Sequence, residues 1–154
     1  MKINSDVQSC LEKSVLCWLA TVSKEGLPNV SPKEIFAVYD DEHIAIADIA
    51  SPVTVRNIKS HPDVCVSAVD VFSQSGFKIT GKAQIYTSGT DIFPQLKASL
   101  SHLLTPEYIV RNIILLKAEK ISRILAPSYH IHPERTEAEH RERTYKTYGV
   151  RCGE

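Results

Sequence analysis

Residues 27–62 constrain the fold of this chain more than any other stretch: LPNVSPKEIFAVYDDEHIAIADIASPVTVRNIKSHP. Two runs rich in β-formers, 29–38 and 43–47, flank the turn pair Asp40-Asp41. The chain then reaches Ser51-Pro52-Val53-Thr54, which has the chemistry of a helix start. Serine is a strong N-cap, and proline suits the first helical position because the N–H it lacks has no partner there. The first N–H groups of a helix carry partial positive charge and lack intrahelical partners, so an anion is favoured beside them. Thr54 adds a hydroxyl in the first turn, Arg56 adds charge, and Lys33 places a cation on the preceding strand. Strand, turn, strand and hydroxyl-rich helix start together predict a phosphate site. Pro32 predicts a strand edge or a bulge.

The remaining elements follow from periodicity and turn chemistry. Ser5-x-x-Gln8 reads as a capping box opening a helix over 6–14, with Val7, Cys10 and Leu11 on one face. LCWLATVS (16–23) is a strand, and Lys24-Glu25-Gly26 its turn. After the helix at Ser51, strands are expected over 63–71 and 77–86, the latter bent or bulged at Gly81. Ile92, Phe93, Leu96, Leu100, Leu103 and Leu104 fit a helix. Thr105-Pro106-Glu107 starts another, with Ile109, Ile113 and Leu116 on its apolar face. Residues 118–125 return to strand, and Thr136-x-x-Glu139 caps a polar helix ending near Gly149. Six antiparallel strands with flanking helices predict a mainly β fold, a small split β-barrel. The chain reads as a single domain over 1–154, with 126–154 a C-terminal tail and helix.

Composition narrows the function classes. Lys+Arg 18 against Asp+Glu 18 gives no basic excess for nucleic acid and no charged membrane patch. The first residues, Met1 to Asp6, do not read as a secretory signal, and no apolar run is long enough to span a bilayer, so a cytoplasmic protein is expected. Cys10, Cys17, Cys65 and Cys152 contain no C-x-x-C pair, so neither a zinc site nor a disulfide framework is expected. His130-x-His132 with His140 lacks the carboxylate or cysteine needed to complete a metal set, and no metal is expected. There is no Gly-x-Ser-x-Gly elbow, P-loop or dinucleotide fingerprint.

Four segments, taken in order, carry a family resemblance: Leu19-Ala20-Thr21-Val22 with Gly26-x-Pro28; Ser31-Pro32-Lys33 followed by Asp40-Asp41; Ser51-Pro52-x-Thr54-x-Arg56-Asn57-Ile58 with His61-Pro62; and Gly76-Phe77-x-x-x-Gly81-x-Ala83. Through them, residues 14–127 resemble the pyridoxamine 5′-phosphate oxidase-like FMN-binding split-barrel family. The resemblance implies a homodimer with FMN at the subunit interface. Ser31, Pro32 and Lys33 would lie along the isoalloxazine and ribityl side, and Ala47 and Asp48 beside the flavin. Ser51, Thr54, Arg56 and Asn57 would form the phosphate end, with Gly76 and Phe77 coming from the other subunit or the barrel rim.

Two departures qualify what the resemblance implies. Val53 stands where relatives often carry a basic residue, so Arg56 or Lys33 must compensate. The C-terminal Trp and Arg pattern of true pyridoxamine phosphate oxidases is missing, the only tryptophan being Trp18, so vitamin B6 oxidation is not expected. The resemblance therefore implies an FMN-dependent oxidoreductase acting on a small molecule, with NADH or NADPH as electron donor. The alternatives are a non-catalytic, stress-related FMN-binding protein, or a related barrel using F420 or haem.

Overall fold

In the computed structural model, which describes residues 1–151 and 153, the two edge strands of one seven-stranded sheet are joined by only Glu34 and Ile35. The strands are β1 (Cys17–Val22), β2 (Pro28–Lys33), β3 (Phe36–Val38), β4 (His43–Asp48), β5 (Asp63–Asp70), β6 (Ser75–Thr87) and β7 (Asn112–Leu125). Their order is β2-β1-β5-β6-β7-β4-β3, with every pair antiparallel. Laid flat, the outer strands of such a sheet would stand about 29 Å apart. Two linking residues reach only about 10 Å, so the sheet has to curl until its edges meet at the Lys33–Phe36 corner. The result is a curled half-barrel consistent with the expected split barrel. It has seven strands rather than six because the run expected over 29–38 breaks at that corner.

Among the described residues, five helices flank the sheet: α1 (Ser5–Lys13), α2 (Pro52–Ser60), α3 (Phe93–Ser99), α4 (Ser128–Ile131) and α5 (Glu137–Tyr148). The cap of α1 is Asn4, not Ser5; its side chain accepts from the Val7 N–H at 3.0 Å. Asparagine caps as well as serine does, so the nine-residue helix starts one residue earlier than expected and ends one residue earlier, at Lys13. The capping box at Thr136 and Glu139 forms in both directions.

Two apolar clusters share the sheet. Inside the curl, Val7 and Leu11 of α1 and Ile58 of α2 pack with Leu19, Ile44, Ile46, Val66, Ile79, Ile114 and Leu116. On the other face, Phe93, Leu96 and Leu100 cover Ala45, Ala47, Ile113 and Leu115. β4 and the first half of β7 are thus buried on both faces. This overturns the helix expected from Thr105: residues 112–116 (NIILL) are a doubly buried strand. A continuous apolar run mimics one helical face in the i, i+4 and i+7 spacing of Ile109, Ile113 and Leu116.

The Gly81 irregularity is a β-bulge. Thr80 faces Lys120 while Gly81 faces Ala118, leaving Glu119 as the extra residue. A Cβ on Gly81 would lie 1.9 Å from the Lys117 carbonyl oxygen, so the strands approach too closely there for a side chain.

The C-terminal tail docks on the β5–β6 turn. Arg141 pairs with Asp70 and, at 2.9 Å, with Glu137. Tyr145 and Tyr148 pack on Phe72, with centroids 4.9 and 6.4 Å away, and the Tyr129 hydroxyl donates to the Ser73 carbonyl at 2.7 Å. Partial burial pushes the Asp70 carboxyl up, but the N–H groups of Phe72 and Ser73 and the Arg141 guanidinium outweigh it and hold the group below its ordinary 3.8.

Two outcomes are expected from this architecture. Gly81→Ala should destabilise by about 2–3 kcal/mol through overpacking, whereas Gly89→Ala, with nothing within 4 Å of its added Cβ, should stay within about 0.5 kcal/mol of the parent; urea unfolding measures both. Because the folded pKa of Asp70 is depressed, its contribution is present above pH 3.8 and is lost as pH falls through the folded value. Asp70→Asn should therefore loosen α5 at neutral pH, seen as faster tryptic cleavage within residues 137–148 while the β-sheet circular dichroism is unchanged.

Candidate functional site

The corner that closes the sheet also gathers the polar residues singled out in the sequence. Lys33, the last residue of β2, is only 5% exposed, and its Nζ donates to the Ser51 hydroxyl. Burial pushes its ammonium below the ordinary range, while the charge of Asp48 opposes that shift. Asp48 ends β4 and is buried as well. Its Oδ1 accepts from the Ser51 N–H at 2.9 Å, its Oδ2 from Asn112 Nδ2 at 2.7 Å, and its carbonyl from the Arg111 N–H at 3.0 Å.

Ser51 occupies the N-cap position of α2, but its hydroxyl makes no capping bond. With the hydroxyl drawn toward Lys33, the N–H groups of Val53 and Thr54 have no partner among the described residues. Such orphan donors at a helix start favour an anion. Thr54 and Asn57 are 1% and 2% exposed and face the sheet. The Thr54 hydroxyl lies 3.0 Å from that of Ser31, and Asn57 Nδ2 donates to Thr21 Oγ1 at 3.0 Å. These three side chains, expected around the cofactor, thus also fasten α2 to β1 and β2. Arg56 is exposed and faces outward.

Two hollows meet at Ser51. One, of about 420 Å³, is bordered by Arg56, Lys59 and Arg111 with Asp48 and Asn112. The other, of about 250 Å³, is mainly apolar: Leu16, Pro32, Ile35, Ala47, Ile49 and Tyr108 form its walls, and Lys33 and Glu34 its charged edge. Val53 does not border the first hollow, whose cations come from Arg56, Lys59 and Arg111. The pair can accept a molecule with an anionic end and a flat apolar body.

Gly76 and Phe77 lie elsewhere in the chain. The register Phe77–Ala68–Cys17–Lys33 puts Phe77 three strands, about 14 Å, from Lys33. Within its own chain Phe77 lies under the Arg123 guanidinium, 5.6 Å from its ring centroid. A Cβ on Gly76 would meet the Ala68 carbonyl oxygen at 2.0 Å, so the strands approach too closely there for a side chain. His140 stacks on Tyr129 at 3.9 Å, and His132 pairs with Glu134. Among the described residues, no three His, Cys, Asp or Glu side chains are grouped to hold a metal ion; Cys152 lies outside them. No helix among them is long and apolar enough to cross a membrane.

Sequence reasoning missed Lys59, Tyr108, Arg111 and Asn112. Lys59 was legible, standing three residues after Arg56 on the same helical face. The others were hidden by the expected helix from Thr105; as the lead-in to a buried strand, Arg111-Asn112 is a polar pair delivered to the strand's end.

Comparison with known proteins identifies the family and the fold. The profile of the pyridoxamine 5′-phosphate oxidase family matches residues 3–123. An uncharacterised protein of Methanocaldococcus jannaschii, MJ0282, is 24% identical over 123 residues, 79% of this chain and 80% of that protein. The crystal structure of HupZ from Group A Streptococcus superposes with a TM-score of 0.69 at 22% identity, covering 80% of this chain and 95% of that one. An FMN-binding protein of Syntrophomonas wolfei superposes at 0.67 with 15% identity, over 78% and 84% of the two chains. The same fold is seen in an F420 reductase, at 0.59 and 26% identity over 78% and 98% of the chains, and in HutZ, the haem storage protein of Vibrio cholerae, at 0.64 and 16% over 81% and 95%. With the profile match spanning most of its length, the chain belongs to the pyridoxamine 5′-phosphate oxidase family.

Proposed function

We propose that this chain binds FMN at the sheet corner and acts as a flavin-dependent oxidoreductase on a small molecule. The observation that carries the reading is the pairing of the two hollows at Ser51, one cationic and one apolar. The phosphate would sit by Arg56, Lys59 and Arg111 and the free N–H groups of α2, and the ring among Pro32, Ala47, Ile49 and Tyr108. The FMN-binding protein of the same fold supports this choice. The outward face of β1 and β2 supports a homodimer that covers the flavin: Trp18 pairs with Pro32 and Ala20 with Val30, leaving Trp18 45% and Val30 58% exposed. The redox chemistry itself would come from the bound flavin.

The residues have separable roles in this reading. Lys33 holds a positive charge beside the ring and favours negative charge developing there. Asp48, fixed by Ser51 and Asn112, helps keep that buried ammonium protonated. Leu16, Ile35 and Tyr108 exclude water from the ring. NADH or NADPH is the proposed electron donor.

The absorption spectrum of the purified protein tests the reading. It should show flavin bands with one FMN per subunit, in a particle of dimer mass by light scattering, and anaerobic NADH or NADPH should bleach the bands. Colourless protein that ignores added FMN would refute flavin binding, and a Soret band or a deazaflavin spectrum would substitute haem or F420. Bound FMN that neither donor reduces would leave a non-catalytic flavin carrier. Arg56→Ala and Arg111→Ala should each weaken FMN about tenfold or more, as expected for loss of a charge-assisted hydrogen bond; fluorescence titration measures this. Lys33→Met should lower the flavin midpoint potential in spectroelectrochemistry, since the cation that favours the reduced, anionic ring is gone.

A further inference from the structure

A hollow of about 490 Å³ lies between α1, β3 and the segment after α3, and the flavin reading makes no use of it. Its floor is apolar: Leu11 and Phe36 are 3% and 5% exposed, and Val38 and Leu103 adjoin them. Its rim carries the carboxylates of Glu12 and Glu34, together with Gln8 and His102. Gln8 Nε2 donates to Glu12 Oε1 at 2.8 Å and steadies that carboxylate. Neither Glu12 nor Glu34 has a cationic partner within 4.0 Å among the described residues.

Size, floor and rim each restrict the occupant. The volume is that of a small-molecule site. The floor calls for an apolar body of aromatic or branched shape. Two carboxylates without counter-cations beside low-dielectric walls repel anions and attract a protonated amine. The backbone explains why the hollow exists. Glu34 and Ile35 form the corner between β2 and β3, so the sheet surface is interrupted there, and α1 and Leu103 roof the gap without filling it.

We propose that this hollow is a binding site for a protonated amine with an aromatic or branched apolar body. An adjoining hollow of about 410 Å³, bordered also by Lys13, shares Glu12, Glu34 and Leu103 with it and reaches Ile35 and Tyr108, which with Glu34 line the apolar half of the cofactor site. A molecule seated at Glu12 and Glu34 would therefore lie on a path to the sheet corner. The amine site itself stands whether or not that corner holds a flavin.

Calorimetric titration of the full chain with tryptamine tests the site, with indole-3-propionate as the same ring carrying the opposite charge. Each is titrated with and without saturating FMN. Tryptamine should bind with a Kd of roughly millimolar or tighter, more tightly than the propionate, and equally with FMN present. The double variant Glu12→Gln/Glu34→Gln should bind it about tenfold more weakly while keeping the parent's thermal midpoint, and Glu12→Gln alone, outside the ring hollow, should also keep the FMN affinity. Both carboxylates are exposed on the rim, so the substitution leaves the core intact. No binding of tryptamine, equal binding of the propionate, or unchanged affinity in the double variant would overturn the proposal. So would displacement of tryptamine by FMN, which would place the amine in the ring hollow. A chain that ignores FMN but binds tryptamine in this charge-dependent way would keep the amine site and refute only the flavin reading.

Discussion

Everything in this molecule depends on the two-residue link between the edge strands of its sheet. Glu34 and Ile35 are too few to let β2 and β3 stand apart, so the sheet must wrap, and wrapping creates the interior that Leu19, Ile46, Ile79 and Leu116 fill. The N–H of Ala47 donates to the Ile35 carbonyl at 2.9 Å and ties the corner to β4. The link also fixes which residues face each other. Lys33 finishes one edge while Asp48 finishes the strand beside the other, and Ser51 follows three residues later. A buried ammonium, a buried carboxylate and a hydroxyl come together because the backbone has no alternative route.

That meeting would be unfavourable without its hydrogen bonds. A buried charge is tolerated only when paired and solvated by protein dipoles. Asp48 has both carboxylate oxygens occupied, by a backbone N–H and a side-chain amide from distant β7. Lys33 has the Ser51 hydroxyl and the field of Asp48. Drawing Ser51 into this arrangement removes it from its ordinary work as a helix cap, which leaves the α2 start open to a ligand. In the proposed reading, local helix stability is given up there for binding, a pattern expected at functional sites.

Much of this was legible in the residues. The β-formers of β1, the Asp40-Asp41 turn, the position of the Ser-Pro helix start and the bulge at Gly81 all express local rules, and the structure follows them. What could not be read was nonlocal. Glu34 and Ile35 continue an apparently unbroken β-run, and only the sheet order shows that a corner is needed there. The 112–116 run carries an apolar spacing that fits a helix, and its strand character comes from being covered on both faces, by the barrel interior and by α3. That single misreading hid Arg111, Asn112 and Tyr108. Ser31, Thr54 and Asn57 show the converse: they were found in the sequence, but whether a hydroxyl or amide turns toward a ligand or toward the sheet is decided by packing. The placement of Gly76 and Phe77 follows from strand register, which a single sequence leaves open.

The corner has one more consequence. Its walls come from Leu16, Lys33, Ala47, Ser51 and Asn112, positions spread over most of the chain, so the site does not exist until the last edges of the sheet have met. Any molecule held there binds the closed form and not the open one. At a free concentration a hundred times its Kd, such a ligand adds about 2.7 kcal/mol to the closed state. Occupancy and folding are then one equilibrium, and the melting temperature of this protein becomes a function of how much ligand the solution contains.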